Sequence, residues 1–380
     1  MTPKRLDLPT ASGAAHDAWL PNALETLQRG GLVILPTETV YGVAARADDP
    51  EVLARLARLK GRPEERAFTW HVAGSDALER FPHTTAVARR LAQRYWPGPL
   101  TLVLPGVPEG LELVARDGLT GVRCVAGEAA SALCAAAPFP LVMSSANAHG
   151  ASPATDADSL TDLPLEDDDL VLAGGATTLG ESSTVLRCGG GRFEILREGL
   201  HDIEALRRAG GLRLGFACTG NTCRSPMAEV LGLRAIAARL AGGQAPDAHA
   251  DQRELLDRFG FGVTSMGLAA YPGSPASGHS VESMATRGLD LSGHSSQPAD
   301  LELLASLDAV YTMTRSHRDA LIGGLRSADD GRFAELAERV QLLDPEGGDI
   351  SDPFGGDAGV YETSARDIAA AIEARVVDWA

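Results

Sequence analysis

Leu212-Arg-Leu-Gly-Phe-Ala-Cys218-Thr-Gly-Asn221-Thr-Cys223-Arg224-Ser225-Pro226-Met-Ala-Glu229 decides how the second half of this 380-residue chain is read. The apolar run 212–217 predicts a short buried strand with Cys218 at its end. Gly220 and Asn221 tolerate the backbone angles of a tight loop. Ser225-Pro226 predicts a helix start, where the proline's missing N–H costs nothing. Unpaired N–H groups of such a loop and the helix dipole make an anion site. The same field stabilises a thiolate, so Cys218 is a candidate nucleophile. Arg224 can clamp two phosphoryl oxygens with its planar fork. Ser225 can donate to the sulfur and help it leave. A buried structural cysteine ahead of a surface arginine is the bland alternative, weakened by the strand, the Gly-Asn turn and the Ser-Pro start around it.

Bulk properties set the frame. The length allows two domains with sizeable cores. A hydrophobic share of 44% and a charged share of 22% are ordinary for a globular protein. A net charge of −17 argues against a broad basic face, so strong direct nucleic-acid binding is not expected. The five cysteines (Cys124, Cys134, Cys188, Cys218, Cys223) lack metal-ligand spacing, and no metal site is expected. A reducing compartment suits them. The polar start 1–17 has no signal-peptide core, and no stretch approaches a membrane span. The expectation is a cytoplasmic protein without a membrane partner.

In the first half, predicted helices at 18–30, 52–60 and 84–95 alternate with predicted strands at 31–36, 67–72, 100–104 and 140–143. That alternation indicates an α/β domain with a twisted open sheet. Polar residues gather at the strand ends: Thr39, Lys60, Arg62, His71, Arg123, Ser145 and Asn147. Ligands of open α/β sheets bind at such ends. Cations with hydroxyl and amide groups suit a triphosphate and a carboxylate. Taken singly, Lys60 and Arg62 could be a solvated helix end, His71 a satisfied core histidine, and Ser145-Ala-Asn147 a turn.

Seven segments in order carry a resemblance: Pro36-Thr-Glu-Thr-Val-Tyr-Gly42, Lys60-Gly-Arg-Pro63, Trp96-Pro-Gly-Pro-Leu-Thr101, Gly121-Val-Arg123, Ser145-Ala-Asn147, Ser183-Thr-Val185 and Leu196-Arg-Glu-Gly199. Together they resemble the threonylcarbamoyl-AMP synthase (YrdC-like) family. The resemblance implies condensation of L-threonine, bicarbonate and ATP into threonylcarbamoyl-adenylate, a precursor for tRNA modification. It also implies a connection to the transferase machinery of that modification. By resemblance Thr39, His71, Arg123 and Ser145 hold threonine, with Lys60 lining the cleft. Arg62, Asn147, Thr155, Ser183 and Arg197 hold ATP, with Mg²⁺ on the triphosphate. Two departures stand out: Arg66-Ala-Phe replaces the family's Asn-Pro-Leu, and Cys124 replaces a proline after Gly-Val-Arg. They motivate a rival reading of the first half as a catalytically silent module that binds nucleotide or RNA.

Asp202–Arg208 predicts a last short helix, and Ala209-Gly-Gly211 predicts the joint, giving domains 1–210 and 211–380. Gly189-Gly-Gly191 reads as a hairpin turn. Beyond the joint, strands are expected at 262–266, 309–313 and 340–343 and helices at 226–240, 275–288 and 361–377, with 241–252 an inserted surface loop. A four-stranded parallel, Rossmann-like sheet between helices fits.

The strand–loop–helix segment resembles the phosphate loop of low-molecular-weight protein-tyrosine phosphatases. Met266-Gly-Leu-Ala-Ala-Tyr271, Gly288-Leu-Asp-Leu-Ser-Gly-His294 and Met313-Thr-Arg-Ser-His317 extend the match. Ile350-Ser-Asp352-Pro353-Phe-Gly-Gly356 resembles the family's acid loop, with Asp352 as proton donor to the leaving atom. Asp344-Pro345 competes for that role. His294 and His317 read as structural. Thr222 stands where tyrosine-directed members carry isoleucine, and bacterial protein-arginine phosphatases share the Cys-Thr-Gly-Asn-Thr-Cys-Arg-Ser run. The resemblance therefore implies a cysteine-dependent phosphatase acting on phosphorylated proteins, with phosphoarginine ahead of phosphotyrosine. Cys223 reads either as a trap for oxidised Cys218 or as an inert core residue.

Overall fold

The computed structural model describes residues 3–9, 18–61, 67–147, 151–160, 163–189, 192–327 and 336–380. Its contacts divide the chain into two compact units, the first ending at Ile203 and the second beginning at Glu204. Composition places the joint at 209–211. The difference arises because helix Ile203–Gly210 lays its Arg207 carbonyl against Gly260, and so packs as part of the second unit.

The first unit is built on β1 (Lys4–Asp7), β2 (Val33–Pro36), β3 (Tyr41–Arg46), β4 (Thr69–Val72), β5 (Leu100–Pro105), β6 (Leu119–Cys124), β7 (Leu141–Ser145), β8 (Leu170–Ala173), β9 (Thr184–Gly189) and β10 (Arg192–Arg197). These form one mixed sheet in the order β1-β8-β2-β3-β7-β4-β6-β5-β9-β10. Helices α1 (Leu20–Gln28), α2 (Pro50–Leu59), α3 (Ala86–Tyr95) and α4 (Glu128–Ala136) accompany it. Asp49 caps α2, its carboxylate accepting the N–H groups of Glu51 and Val52. Trp19, Leu27, Leu35, Leu133, Leu141 and Leu172 form the centre of a core between the sheet and the helices α1 and α4. The turn expected at Gly189–Gly191 lies partly outside the described residues.

The second unit carries β11 (Arg213–Cys218), β12 (Gly262–Gly267), β13 (Ala309–Thr312) and β14 (Val340–Leu342), all parallel in the order β12-β11-β13-β14. From Leu214 to Cys218 every residue of β11 is buried, as a central parallel strand covered on both faces must be. After the joint helix, α5, come α6 (Arg224–Ala241), α7 (His249–Arg258), α8 (Gly278–Ala285), α9 (Leu301–Ala305), α10 (Arg315–Ser327) and the closing helix Ala358–Trp379. The segment 241–252 is not wholly a surface loop: its last four residues open α7, and Gln252 is buried.

At the end of the closing helix Trp379 is fully buried, its ring 6.0 Å from Phe216 and 5.3 Å from Tyr311, and its Nε1 donates to the Tyr311 hydroxyl at 2.9 Å. Trp379→Ala should destabilise the second unit by about 3–5 kcal/mol. Urea unfolding followed by second-unit signals should show the shifted midpoint, with the first unit's transition unmoved.

Candidate active sites

In the first unit four neighbouring strands converge on one cavity of about 110 Å³. Thr39 precedes β3, Ser145 ends β7, His71 lies in β4, and Arg123 lies opposite His71 in β6. Ser183 and Arg197 complete the lining from the β9–β10 side. Thr39, His71, Arg123, Ser145, Ser183 and Arg197, all candidates from the sequence, thus meet in one place. Thr39 is held from two sides: its hydroxyl lies 2.8 Å from that of Thr37 and accepts from Arg123 Nη2 at 3.0 Å. Arg197 donates through Nε and Nη2 to the Ser183 carbonyl at 3.1 and 2.8 Å, and Ser183 Oγ sits 3.0 Å from Thr101 Oγ1.

His71 is buried, and that burial, with the Arg123 cation beside it, pushes its pKa down to about 3. Its Nδ1 lies 2.9 Å from the Thr69 carbonyl oxygen and 3.2 Å from the Met143 backbone nitrogen, so two strand backbones fix the ring.

The remaining candidates do not line this cavity. Lys60, 1% exposed, donates its ammonium hydrogens to the carbonyls of Ser145 and Asn147 and, at 2.9 Å, to Asn147 Oδ1. It is therefore a strut under the Ser145–Asn147 turn. Thr155 is half-buried, its carbonyl accepting the Thr177 N–H at 2.8 Å. Arg62 and Arg66 lie outside the described residues.

Glu38 carries no signal of its own in the sequence, although it stands within Pro36-Thr-Glu-Thr. One carboxylate oxygen accepts from Arg123 Nη2 at 2.5 Å, and the other accepts the Gly127 N–H at 3.1 Å. Arg123 Nε also donates to the Gly98 carbonyl at 3.2 Å. An incoming carboxylate would therefore share Arg123 with Glu38.

In the second unit the phosphate loop joins β11 to α6. Cys218 Sγ lies 3.0 Å from Ser225 Oγ. Asn221, fully buried with φ +53°, donates through Nδ2 to Ser225 Oγ and Ser265 Oγ, both at 2.9 Å. Its Oδ1 accepts the Gln297 N–H at 2.9 Å, and its carbonyl lies 2.7 Å from His294 Nε2. Gly267 lets β12 approach: a Cβ there would stand 2.7 Å from the Thr219 carbonyl and 2.8 Å from Asn221 N. His317 Nε2 lies 2.8 Å from Thr219 Oγ1; burial and the nearby Arg224 hold its pKa below the usual histidine range. Both histidines thus brace the loop.

Arg224 is 3% exposed, and donates from Nη1 to the Ile350 carbonyl at 3.0 Å. Its Nη2 lies 2.7 Å from Asp352 Oδ2, whereas its buried Nε has no hydrogen-bond partner among the described residues. The competing Asp344 is occupied in its own turn, accepting the N–H groups of Glu346 and Gly348 at 2.9 and 3.2 Å. The structure therefore brings Asp352 to Arg224, with Asp344 engaged elsewhere. Thr222 is half-buried in the loop wall. Tyr271 and Phe354, 84% and 80% exposed, project from the segments after β12 and within the acid loop.

Burial pushes the thiols of Cys124, Cys134 and Cys188 up to about 11, 12 and 12, which makes them inert near neutrality. Cys223 Sγ lies 3.3 Å from the Tyr361 hydroxyl. All five cysteines are free. Among the described residues no helix is long and apolar enough to cross a membrane, and no cluster of three or more His, Cys, Asp or Glu side chains is placed to hold a metal.

Two protein families match this arrangement. The family described as "Telomere recombination" (Sua5/YciO/YrdC) matches residues 25–199, and "Low molecular weight phosphotyrosine protein phosphatase" matches 213–380. The chain is 34% identical to a threonylcarbamoyl-AMP synthase of Pyrococcus abyssi over 53% of its own length and 61% of that protein's. A second threonylcarbamoyl-AMP synthase, from Xanthomonas campestris, is 33% identical over 45% of this chain and 93% of its own length. A protein-arginine-phosphatase of Bacillus subtilis is 34% identical over 39% of this chain and 83% of its own. The chain belongs to both families: its first unit to Sua5/YciO/YrdC and its second to the low-molecular-weight phosphatases. It joins a domain of a transferase family of tRNA processing to a domain of a protein-phosphatase hydrolase family. It spans 61% of the P. abyssi synthase.

The His71 ring should remain neutral through mild acid. A histidine whose folded pKa is lowered leaves the unfolded chain holding the extra proton, so folded stability from this site is lost as pH falls from about 6.5 toward about 3. In an NMR titration the His71 ring resonances should hold constant from about pH 7.5 to about pH 5, a range in which a free imidazole changes charge.

Proposed function

We propose that the chain is a bifunctional enzyme, an L-threonylcarbamoyladenylate synthase followed by a cysteine-dependent protein phosphatase directed at phosphoarginine. The domain reading of 1–210 and 211–380 goes with it. The observation that carries the phosphatase half is Cys218 beside Ser225, with Arg224 and Asp352 closing over the same loop.

In the phosphatase, Arg224 and the loop N–H groups hold three phosphoryl oxygens, and Arg224 Nε supplies a donor that has no partner among the described residues. The Cys218 sulfur attacks phosphorus in line, the bond to the leaving nitrogen breaks, and Asp352 hands that nitrogen a proton. Water then attacks the phosphocysteine, with Asp352 now the base, while Ser225 donates to the departing sulfur. Asp352→Asn should lower turnover by roughly 10²–10⁴-fold, and Cys218→Ser should abolish it. The opposite ranking, with Asp344→Asn harmful and Asp352→Asn harmless, would reassign the acid.

Thr222 supports the choice of substrate. Its hydroxyl offers a hydrogen bond beside the phosphorus, whereas isoleucine offers only hydrocarbon and would leave guanidinium N–H groups unpaired, at roughly 1–3 kcal/mol each. Thr222→Ile should therefore cut phosphoarginine kcat/KM by about one to two powers of ten and raise that for phosphotyrosine. A wild type already preferring phosphotyrosine would leave only the phosphatase class standing.

In the synthase, Thr39, His71, Arg123 and Ser145 take L-threonine, and Ser183 and Arg197 face ATP. Arg62, Asn147 and Thr155 stay assigned to ATP through the family resemblance, and Lys60 acts from beneath the Ser145–Asn147 turn. Threonine's amine combines with bicarbonate, losing water, to give the carbamate. A carbamate oxygen then attacks the α-phosphorus of ATP and pyrophosphate leaves. Mg²⁺ arrives with the triphosphate as part of that substrate. The product's natural recipient is the tRNA-modifying transferase machinery, and a cytoplasmic location fits both reactions. Arg123→Ala should raise the threonine KM strongly, since stranding a buried charge costs on the order of 2–5 kcal/mol. Pyrophosphate release that depends on threonine and bicarbonate checks the whole reading. ATP binding without that release would make the first unit a silent binding module.

A further inference from the structure

The second unit holds another cleft, of about 660 Å³, where α6, α7 and the closing helix face the 242–248 segment. No phosphate-loop residue lines it. Its size is that of a small-molecule site. Leu231, Ala238 and Ile372 give it an aliphatic wall, and the exposed carboxylates of Asp247 and Glu373 stand on its lining.

Among the described residues, one buried acceptor in it is unmatched, and one arginine has no carboxylate beside it. Gln252 is 2% exposed, and its Nε2 donates to the Pro246 carbonyl at 2.7 Å, which fixes the amide. That leaves Oε1 buried with no donor among the described residues. Buried acceptors are nearly always satisfied, so this one points to a partner carrying an N–H or O–H. Arg234 donates from Nη1 to the Arg287 carbonyl at 2.7 Å and pairs with no carboxylate among the described residues. Arg287, by contrast, is tied to Glu362 at 2.6 Å.

We infer that this cleft binds a nucleoside monophosphate. An N–H of the base donates to Gln252 Oε1, and the ring lies on the aliphatic wall. The ribose hydroxyls donate to Asp247 and Glu373, and the phosphate sits on Arg234. An inorganic anion would leave the Gln252 acceptor and the aliphatic wall unused. A triphosphate would crowd extra negative charge against two carboxylates with one unpaired arginine to offset it. The inference is independent of the substrate assigned to either active site.

The test uses the full-length chain and AMP. Photolabelling with 8-azido-AMP and peptide mapping should mark residues 231–252, and unlabelled AMP should protect them. Arg234→Gln and Gln252→Leu should each weaken that labelling at least tenfold, without changing aryl-phosphate turnover measured in the absence of nucleotide. If Gln252→Leu does not fold, Arg234→Gln decides alone. Labelling confined to the first unit, labelling unchanged in both variants, or protection by inorganic phosphate or ATP equal to that by AMP would each overturn the inference.

Discussion

The hydrogen bonds of Asn221 hold the second unit's chemistry in place. A buried, non-glycine residue at φ +53° is tolerated because its side chain binds Ser225 and Ser265 while its Oδ1 and carbonyl engage Gln297 and His294. Without it, buried groups on several other elements would lose partners, at roughly 1–3 kcal/mol each. The position of Ser225 beside Cys218 depends on that network, and so does the direction in which the loop amides point. The glycine at 267 is the steric counterpart, because only a bare α-carbon lets β12 come this close to Thr219 and Asn221.

The first unit solves its problem differently. Its site is not one loop but the ends of adjacent strands, so the sheet order β3-β7-β4-β6 brings Thr39, Ser145, His71 and Arg123 together. Burial makes every charge there costly unless it is paired. Arg123 is paired with Glu38, and His71 stays neutral for the same reason. The pocket thus presents one arginine already shared with Glu38, a neutral imidazole and the hydroxyls of Thr39 and Ser145.

These two designs explain what the sequence disclosed. The phosphate loop is contiguous, so strand, turn, helix start and the Cys218–Arg224 spacing can be read directly. Asp352 lies far along the chain, yet its Pro-Phe-Gly-Gly setting separates it from Asp344, whose capped turn is visible only in three dimensions. In the first unit, the residues at strand ends are legible as a set but their individual roles are not. Glu38 is hidden inside a motif read for its threonines. Lys60 reads as a helix-end cation facing ligand, but it is turned inward onto the Ser145–Asn147 turn. Strands β1 and β8 escape because each is four residues long and pairs with a partner distant in sequence. Helix α7 escapes because its start lies in a Gly-, Ala- and Asp-rich stretch with little apolar periodicity.

The most direct measurement is rapid-quench trapping of the full-length chain mixed with a phosphoarginine peptide, with peptide mapping of the bound phosphorus. A transient phosphoryl group should appear on Cys218, accumulating further in Ser225→Ala because the sulfur then leaves without its donor. Phosphate released with no phosphorus ever on Cys218, or phosphorus found on another residue, would contradict it.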